Sequence, residues 1–339
     1  MNRPESKIVY LRGLIELSNI CRKNCLYCGI RSGNTLVERY ELTDSQILEL
    51  AEFALVNGYG SVVLQGGERC DSGYVERIAE LVSQIKSLRY GDYPPLGITL
   101  SLGEQTLETY RMWREAGAHR YLLRIETSNP ELYRKIHPGE SAAELTNHSF
   151  DTRLEALYNI RSAGFITGTG VMIGLPFQTK ADLERDLDFF CNFGVDMVGM
   201  GPYIPHKDTP LGRMVMDSSF KDTGDFQNYT PGQRLELSLY MIRELRRRMP
   251  HINIAATTAL QVLAEDGRER AVSEGANVIM PNLTISSMRK KYQLYEGKSD
   301  LNDDAMSTKL KLEKALAKSG AVIGWFDAGD PSHMKNLNF

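Results

Sequence analysis

Four times in this chain a helical stretch closes on glycine and a short apolar, β-rich run follows within a few residues. The places are Asn57-Gly58-Tyr59-Gly60 before Ser61-Val62-Val63-Leu64, Ala116-Gly117-Ala118 before Arg120-Tyr121-Leu122-Leu123, Phe193-Gly194-Val195 before Met197-Val198-Gly199-Met200, and Glu274-Gly275-Ala276 before Asn277-Val278-Ile279-Met280. Glycine suits the left-handed residue that ends a helix, and an apolar run suits a strand buried on both faces of a parallel sheet. Extending the pattern predicts eight strands, at about 8–17, 61–65, 97–102, 119–126, 166–174, 196–204, 252–258 and 277–283. Helical patterns at about 44–57, 73–89, 104–116, 150–163, 179–193, 231–248 and 266–275 separate them, the first opened by Thr43 or Asp44 as N-cap. Such alternation over 339 residues predicts an α/β fold, a (β/α)8 TIM-like barrel. The competing doubly wound sheet would carry a Gly-rich phosphate turn after its first strand, and cysteines stand there instead.

We expect the barrel to occupy residues 1–285, with 286–339 as a C-terminal extension packing on it. Two strand-to-helix loops are long, at about 127–149 and 205–230, and such loops are where a barrel keeps its chemistry. A net charge of −3 gives no electrostatic footprint for nucleic acid or an anionic membrane. The basic run Arg243–Arg248 reads as a solvated helix end, where cations favour the C-terminal dipole. No run approaches the ~20 apolar residues of a membrane-spanning helix, and Met1–Lys7 lacks the apolar segment of a signal peptide. A cytoplasmic protein is expected.

Five cysteines, three of them within eight residues, do not make a disulfide framework. Cys21-x3-Cys25-x2-Cys28 follows the first strand directly, hence lies on the catalytic rim of a barrel. Three thiolates this close can ligate three irons of a [4Fe–4S] cubane and leave the fourth iron without a protein ligand. A zinc site is the alternative, completed by His119, His137, His148 or His206. Buried unligated thiols are the weaker alternative, because Arg22, Lys23 and Asn24 make the segment polar for a core. Cys191 sits in an apolar helical pattern and reads as core, and Cys70 stands apart.

The cysteine spacing, with Tyr27 before the last cysteine, resembles the cluster motif of the radical S-adenosylmethionine (SAM) superfamily, whose members place it after the first strand of such a barrel. Gln65-Gly66-Gly67-Glu68 after strand two resembles the family's Gly-Gly-Glu motif, Glu126 ends strand four, and Arg153 lies early in the next helix. The resemblance implies that Gly66, Gly67 and Glu68 receive the SAM ammonium group, Glu126 the ribose hydroxyls and Arg153 the carboxylate. From Arg12 to about Lys298 the chain resembles, more specifically, the HydE family of [FeFe]-hydrogenase maturases, through segments such as Ile15–Gly29, Thr99–Glu104, Tyr121–Pro130, Asp196–His206, Ala256–Ala259, Gly275–Asn282 and Tyr292–Tyr295. This implies a radical SAM enzyme that cleaves SAM to methionine and a 5′-deoxyadenosyl radical. Its substrate would be a small cysteine-bearing iron complex, attacked at sulfur in assembly of the hydrogenase diiron subcluster. The maturases HydG and HydF and an electron donor are the implied partners, and a monomer is expected.

The resemblance places Met197 beside the cofactor. It places Gln65, Thr99, Arg124, Thr257, Thr258, Met280, Tyr292 and Tyr295 around substrate. Polar side chains on buried strands need partners, and a bound polar ligand is one such partner. No cysteine follows Tyr295, so one cluster is expected, and Ile125 stands where some relatives carry His. The alternatives are a radical SAM mutase or sulfur-inserting enzyme of the methylornithine synthase or biotin synthase type, or a non-catalytic iron–sulfur carrier.

Overall fold

The computed structural model describes residues 7–138, 148–217, 226–297 and 305–334. Residues 139–147 and 218–225 of the two long loops, 298–304 and 335–339 of the expected extension, and 1–6 lie outside the described residues.

Eight parallel strands close into a barrel: β1 (Lys7–Ser18), β2 (Ser61–Gly66), β3 (Gly97–Ser101), β4 (Arg120–Leu122), β5 (Ile166–Thr169), β6 (Met197–Val198), β7 (Asn253–Ala256) and β8 (Val278–Ile279), with β8 pairing back onto β1 at Tyr10↔Val278 and Leu11↔Ile279. The outward strand residues, among them Ile15, Leu64, Leu100 and Tyr121, pack with Ile47, Ile78, Trp113, Leu157, Phe190 and Ile242 of the surrounding helices in one apolar core. The helices begin where their caps put them. Thr43, Thr179 and Thr230 each form a capping box, and Asp71, Thr106 and Ser149 each accept a hydrogen bond from the first turn. Gly58, Gly117, Gly194 and Gly275 all have positive φ, as the repeat requires. The basic run closes the helix Pro231–Arg248, with Arg246 bonded to the carbonyls of Gly275, Pro250 and Ile252.

Several strands are shorter than their apolar runs. The run at 166–174 divides into β5 and Met172–Ile173, and that at 196–204 into β6 and Gly201–Pro202. Between the two halves Gly170 and Gly199 approach closely, so that a Cβ on Gly170 would lie 2.0 Å from the Gly199 oxygen. Both long loops also carry helices, Pro130–Ile136 behind Asn129 and Pro210–Met216 behind Thr209. Each is a polar cap followed by proline at the first helical position.

The C-terminal segment joins the barrel. After the helix Ala305–Lys318, strand β9 (Ala321–Ile323) adds in parallel beside β1 at Lys7, Ile8 and Val9. The chain then crosses the N-terminal end of the barrel. Asp330 pairs with Arg120 at 2.6 Å and with His119 at 3.2 Å, and the Gly329 carbonyl accepts from Asn253 at 2.6 Å and Arg12 at 3.2 Å. The barrel is therefore plugged at its base, and its opposite rim is where the cysteines lie.

Candidate active site

The rim begins where β1 runs out at Ser18 and the chain loops through Cys21, Cys25 and Cys28. Burial pushes the Cys25 thiol up to about 12 and also raises Cys21 and Cys28, and the three thiols repel one another as anions. Tyr27 is hydrogen-bonded to Cys25 and meets His137 edge-on at 5.5 Å between ring centroids. Cys25 is buried and Cys21 and Cys28 are half-buried, and a poorly solvated set of mutually repelling thiols is what a cationic metal group relieves. Among the described residues no three His, Cys, Asp or Glu side chains converge as ligands of a single metal ion would. A cubane instead spreads its three thiolates over three irons, so the donor set fits the cluster. Of the histidines weighed for zinc, His119 sits at the plugged base, and the Nε2 of His148 accepts the Asn24 amide at 3.2 Å.

The Gly-Gly-Glu turn packs directly on this loop. A Cβ on Gly67 would lie 2.3 Å from the Ile20 oxygen and 2.8 Å from Cys21 Cβ, so only glycine fits. The Gly67 amide donates to the Ser18 carbonyl at 2.9 Å, and the Glu68 amide to Cys21 Sγ at 3.3 Å. The Glu68 carboxylate is buried, taking Arg22 Nε on Oε1 and the Glu104 amide on Oε2, each at 2.8 Å. Arg153, buried in the helix Phe150–Ser162, pairs through Nε with Glu104 and donates from Nη1 to the Arg124 carbonyl at 2.5 Å. Glu126 has a left-handed φ of 67°, unusual for a side chain of its size, and turns a buried carboxylate to the mouth. Arg124 Nη2 lies 3.1 Å from Glu126 Oε2 and donates to the Val171 carbonyl at 2.8 Å.

Inside the mouth, Gln65 donates to the Tyr292 hydroxyl at 3.3 Å, and Thr258 and Tyr295 share a hydrogen bond of 2.8 Å. Deeper lies a cavity of about 20 Å³ whose lining includes Arg12, Thr99, Met197 and Met280. Met197, expected beside the cofactor, thus sits with Thr99 and Met280, its sulfur 3.1 Å from Arg12 Nη1. Three singled-out residues hold buried polar atoms with no hydrogen-bond partner, Thr99 Oγ1, Arg124 Nε and Thr257 Oγ1, and Glu126 Oε2 has only its ion pair with Arg124. Orphans of this kind call for a ligand or water, and their clustering in the barrel interior and mouth fits a polar guest.

Lys23, Arg39 and Glu104 matter to the site and were not singled out from sequence. Lys23, read as a mark of polarity in the cysteine segment, is 3% exposed and lies 2.7 Å from Glu104 Oε2. The polarity of a stretch does not exclude burial where the charge is paired. The surface places Cys70 exposed beside Arg22, and Cys191 half-buried.

Residues 15–190 match the family model of the radical SAM superfamily. The chain is 44% identical over 291 residues to the [FeFe] hydrogenase maturase subunit HydE of Thermotoga maritima, covering 86% of this chain and 74% of that protein. It is 27% identical to the 3-methylornithine synthase of Methanosarcina barkeri, over 90% of this chain and 78% of that one. Among solved structures, methylornithine synthase superposes with a TM-score of 0.71 at 26% identity, covering 94% of this chain and 84% of that one. The hydrogenase maturase HydG, at 18% identity and a TM-score of 0.71 over 93% of this chain and 64% of its own, shares the fold.

Proposed function

This chain belongs to the radical SAM superfamily and, within it, to the HydE family of [FeFe]-hydrogenase maturases, and on that premise we propose that its rim binds one [4Fe–4S] cluster and SAM above a chamber for a small cysteine-bearing iron complex. It is a radical SAM enzyme and a hydrogenase maturase. When bound at Cys21, Cys25 and Cys28, a reduced cluster supplies the electron that cleaves the SAM sulfonium to methionine and a 5′-deoxyadenosyl radical.

The chain's own residues bind and orient. The Gly66-Gly67-Glu68 turn, held on the cysteine loop by the contacts above, presents its backbone to the SAM ammonium. Glu68 already accepts two hydrogen bonds from protein, so its carboxylate acts mainly as an ionic neighbour. Glu126, whose Oε2 pairs with Arg124 at 3.1 Å, accepts from the ribose hydroxyls with its remaining lone pairs. Arg153 has Nε and Nη1 engaged by protein, which leaves Nη2 for the SAM carboxylate. Below these, Arg124, Gln65, Thr257, Thr258, Tyr292 and Tyr295 receive the polar substrate, with Thr99, Met197 and Met280 beneath it.

We assign the substrate's origin to HydG and the product's destination to HydF, and a cytoplasmic monomer served by an external electron donor. Among the described residues no helix is long and apolar enough to cross a membrane. The observation that carries the reading is the set of buried polar atoms without hydrogen-bond partners, Thr99 Oγ1, Arg124 Nε and Thr257 Oγ1, in a barrel whose rim holds Cys21, Cys25 and Cys28, Cys25 buried and the other two half-buried. Anaerobically reconstituted, dithionite-reduced protein should convert SAM to 5′-deoxyadenosine and methionine. A cluster-loaded protein that leaves SAM intact would refute it.

A further inference from the structure

Glu104 stands in the loop three residues beyond β3 and is bound from three sides. Its amide donates to Glu68 Oε2 at 2.8 Å, its Oε2 takes Lys23 Nζ at 2.7 Å, and its Oε1 takes Arg153 Nε. Each contact comes from a different element, namely the Gly-Gly-Glu turn, the cysteine loop and the helix Phe150–Ser162. The carboxylate is buried at 5% exposure, yet Arg153 and Lys23 outweigh the burial and hold its pKa well below the usual range, so it is an anion. Lys23 also lies 3.6 Å from Glu68 Oε1, so the buried Lys23, Arg153, Glu68 and Glu104 form one network, which the exposed Arg22 closes at the surface.

From this geometry we propose that Glu104 is a positioning residue for SAM, one that fixes the Arg153 guanidinium relative to the cysteine loop and thereby aims Nη2 at the SAM carboxylate. The proposal rests on the assignment of Arg153 to that carboxylate. An arginine free to rotate reaches a carboxylate only after its side-chain entropy is paid, whereas one held by a carboxylate at Nε and a carbonyl at Nη1 is pre-organised. The second bond to Lys23 carries this orientation to the loop of Cys21, Cys25 and Cys28, so that cysteine loop and carboxylate anchor keep one register. Glu104 itself touches no substrate or cofactor in this account.

The test uses reconstituted holoprotein and measures SAM affinity by anaerobic equilibrium dialysis, together with the change that SAM induces in the EPR spectrum of the reduced cluster. Wild type, Glu104→Gln, Arg153→Gln and the double variant are compared, after iron content has been matched. Glu104→Gln should keep its iron and its SAM-free spectrum while losing about 10–100-fold in SAM affinity, the loss expected of one charged hydrogen bond. The double variant should bind SAM no more weakly than Arg153→Gln alone, because Glu104 acts through Arg153. Unchanged affinity in Glu104→Gln, or losses that multiply in the double variant, overturns the proposal. If Glu104→Gln fails to hold its cluster, Glu104→Asp replaces it, keeping the charge on a side chain too short to reach both cations, and the same comparison decides. Wild-type holoprotein that binds no SAM would instead bring down the functional reading, which separates the two failures.

Discussion

Replacing Arg39 by alanine removes a guanidinium that donates to the carbonyls of Asn19 and Ile30 at 2.7 Å, Arg31 at 2.6 Å and Asn34 at 3.2 Å. These carbonyls flank the loop of Cys21, Cys25 and Cys28 on both sides, so the fork staples the loop around its ligands. A hydrogen bond to a charged group is worth about 1.5–3 kcal/mol. Arg39 is half-buried, and water replaces some of its bonds when it goes. Counting two of the four as unreplaced, at the low end, gives about 3 kcal/mol, on the order of 100-fold in the population of an opened loop. Capture of iron from reconstituted protein by an external chelator requires that opening, so its rate in Arg39→Ala should rise by that order. Arg39 also places positive charge near Cys21, where it favours the thiolate. Arg39→Lys separates the two effects, since lysine keeps the charge and loses the planar fork. The lysine variant should fall between wild type and alanine. A chelation rate in Arg39→Ala equal to wild type would refute the staple, and a lysine variant equal to wild type would assign the effect to charge alone.

Cys21→Ala, Cys25→Ala and Cys28→Ala should each lose the reconstituted cluster, while Cys70→Ala and Cys191→Ala keep full iron content; loss of iron in Cys70→Ala would overturn the ligand assignment. Glu126→Ala should weaken SAM binding about 10–100-fold through loss of a carboxylate acceptor, and unchanged affinity removes Glu126 from the site. Asp186 is buried, and desolvation pushes its carboxyl up to about 7 against two hydrogen bonds from Ser128 at 2.6 Å. Its unfolded value is about 4, so between roughly pH 4 and 7 the folded state holds more protons, and stability falls as pH rises until it levels off above 7. Asp186→Asn should therefore raise Tm by a few degrees at pH 8 and leave it nearly unchanged at pH 4, and a lower Tm than wild type at pH 8 would show the charge to be compensated.

The alternation of glycine-closed helices and apolar runs carried the barrel in the sequence, because both signals are local: a left-handed residue at a helix end and a strand buried on two faces. The cysteine spacing and the Gly-Gly-Glu turn were legible for the same reason, since each is a short segment whose own backbone shapes it. Lys23 and Glu104 were not legible. Eighty-one residues separate them in the chain, and nothing in Arg22-Lys23-Asn24 or Leu102-Gly103-Glu104 signals that one will neutralise the other. Gly103 is the nearest to a clue. Its φ is +79°, and a Cβ there would lie 2.4 Å from Glu68 Oε2, so this glycine makes room for the buried carboxylate. From sequence it reads only as another turn.

The base of the barrel was hidden for a stronger reason, because it is made by a segment with almost no apolar pattern. Ala328-Gly329-Asp330 works through two carbonyls and one carboxylate, and a Cβ on Gly329 would lie 2.3 Å from Tyr10 Cγ, while one on Gly60 would lie 1.8 Å from the Asp327 oxygen. Two glycines far apart in sequence thus let the strap seat. The consequence reaches the chamber. Asp330 pairs with Arg120 but not with Arg12, which among the described residues has no carboxylate at ion-pair distance and keeps an unpartnered Nε. An arginine cannot shed its charge at any ordinary pH. The closed end of the chamber therefore holds, in Arg12, a buried guanidinium without an ion-pair partner, next to the unpartnered Thr99 hydroxyl, while the open end carries the three cysteines and Glu126.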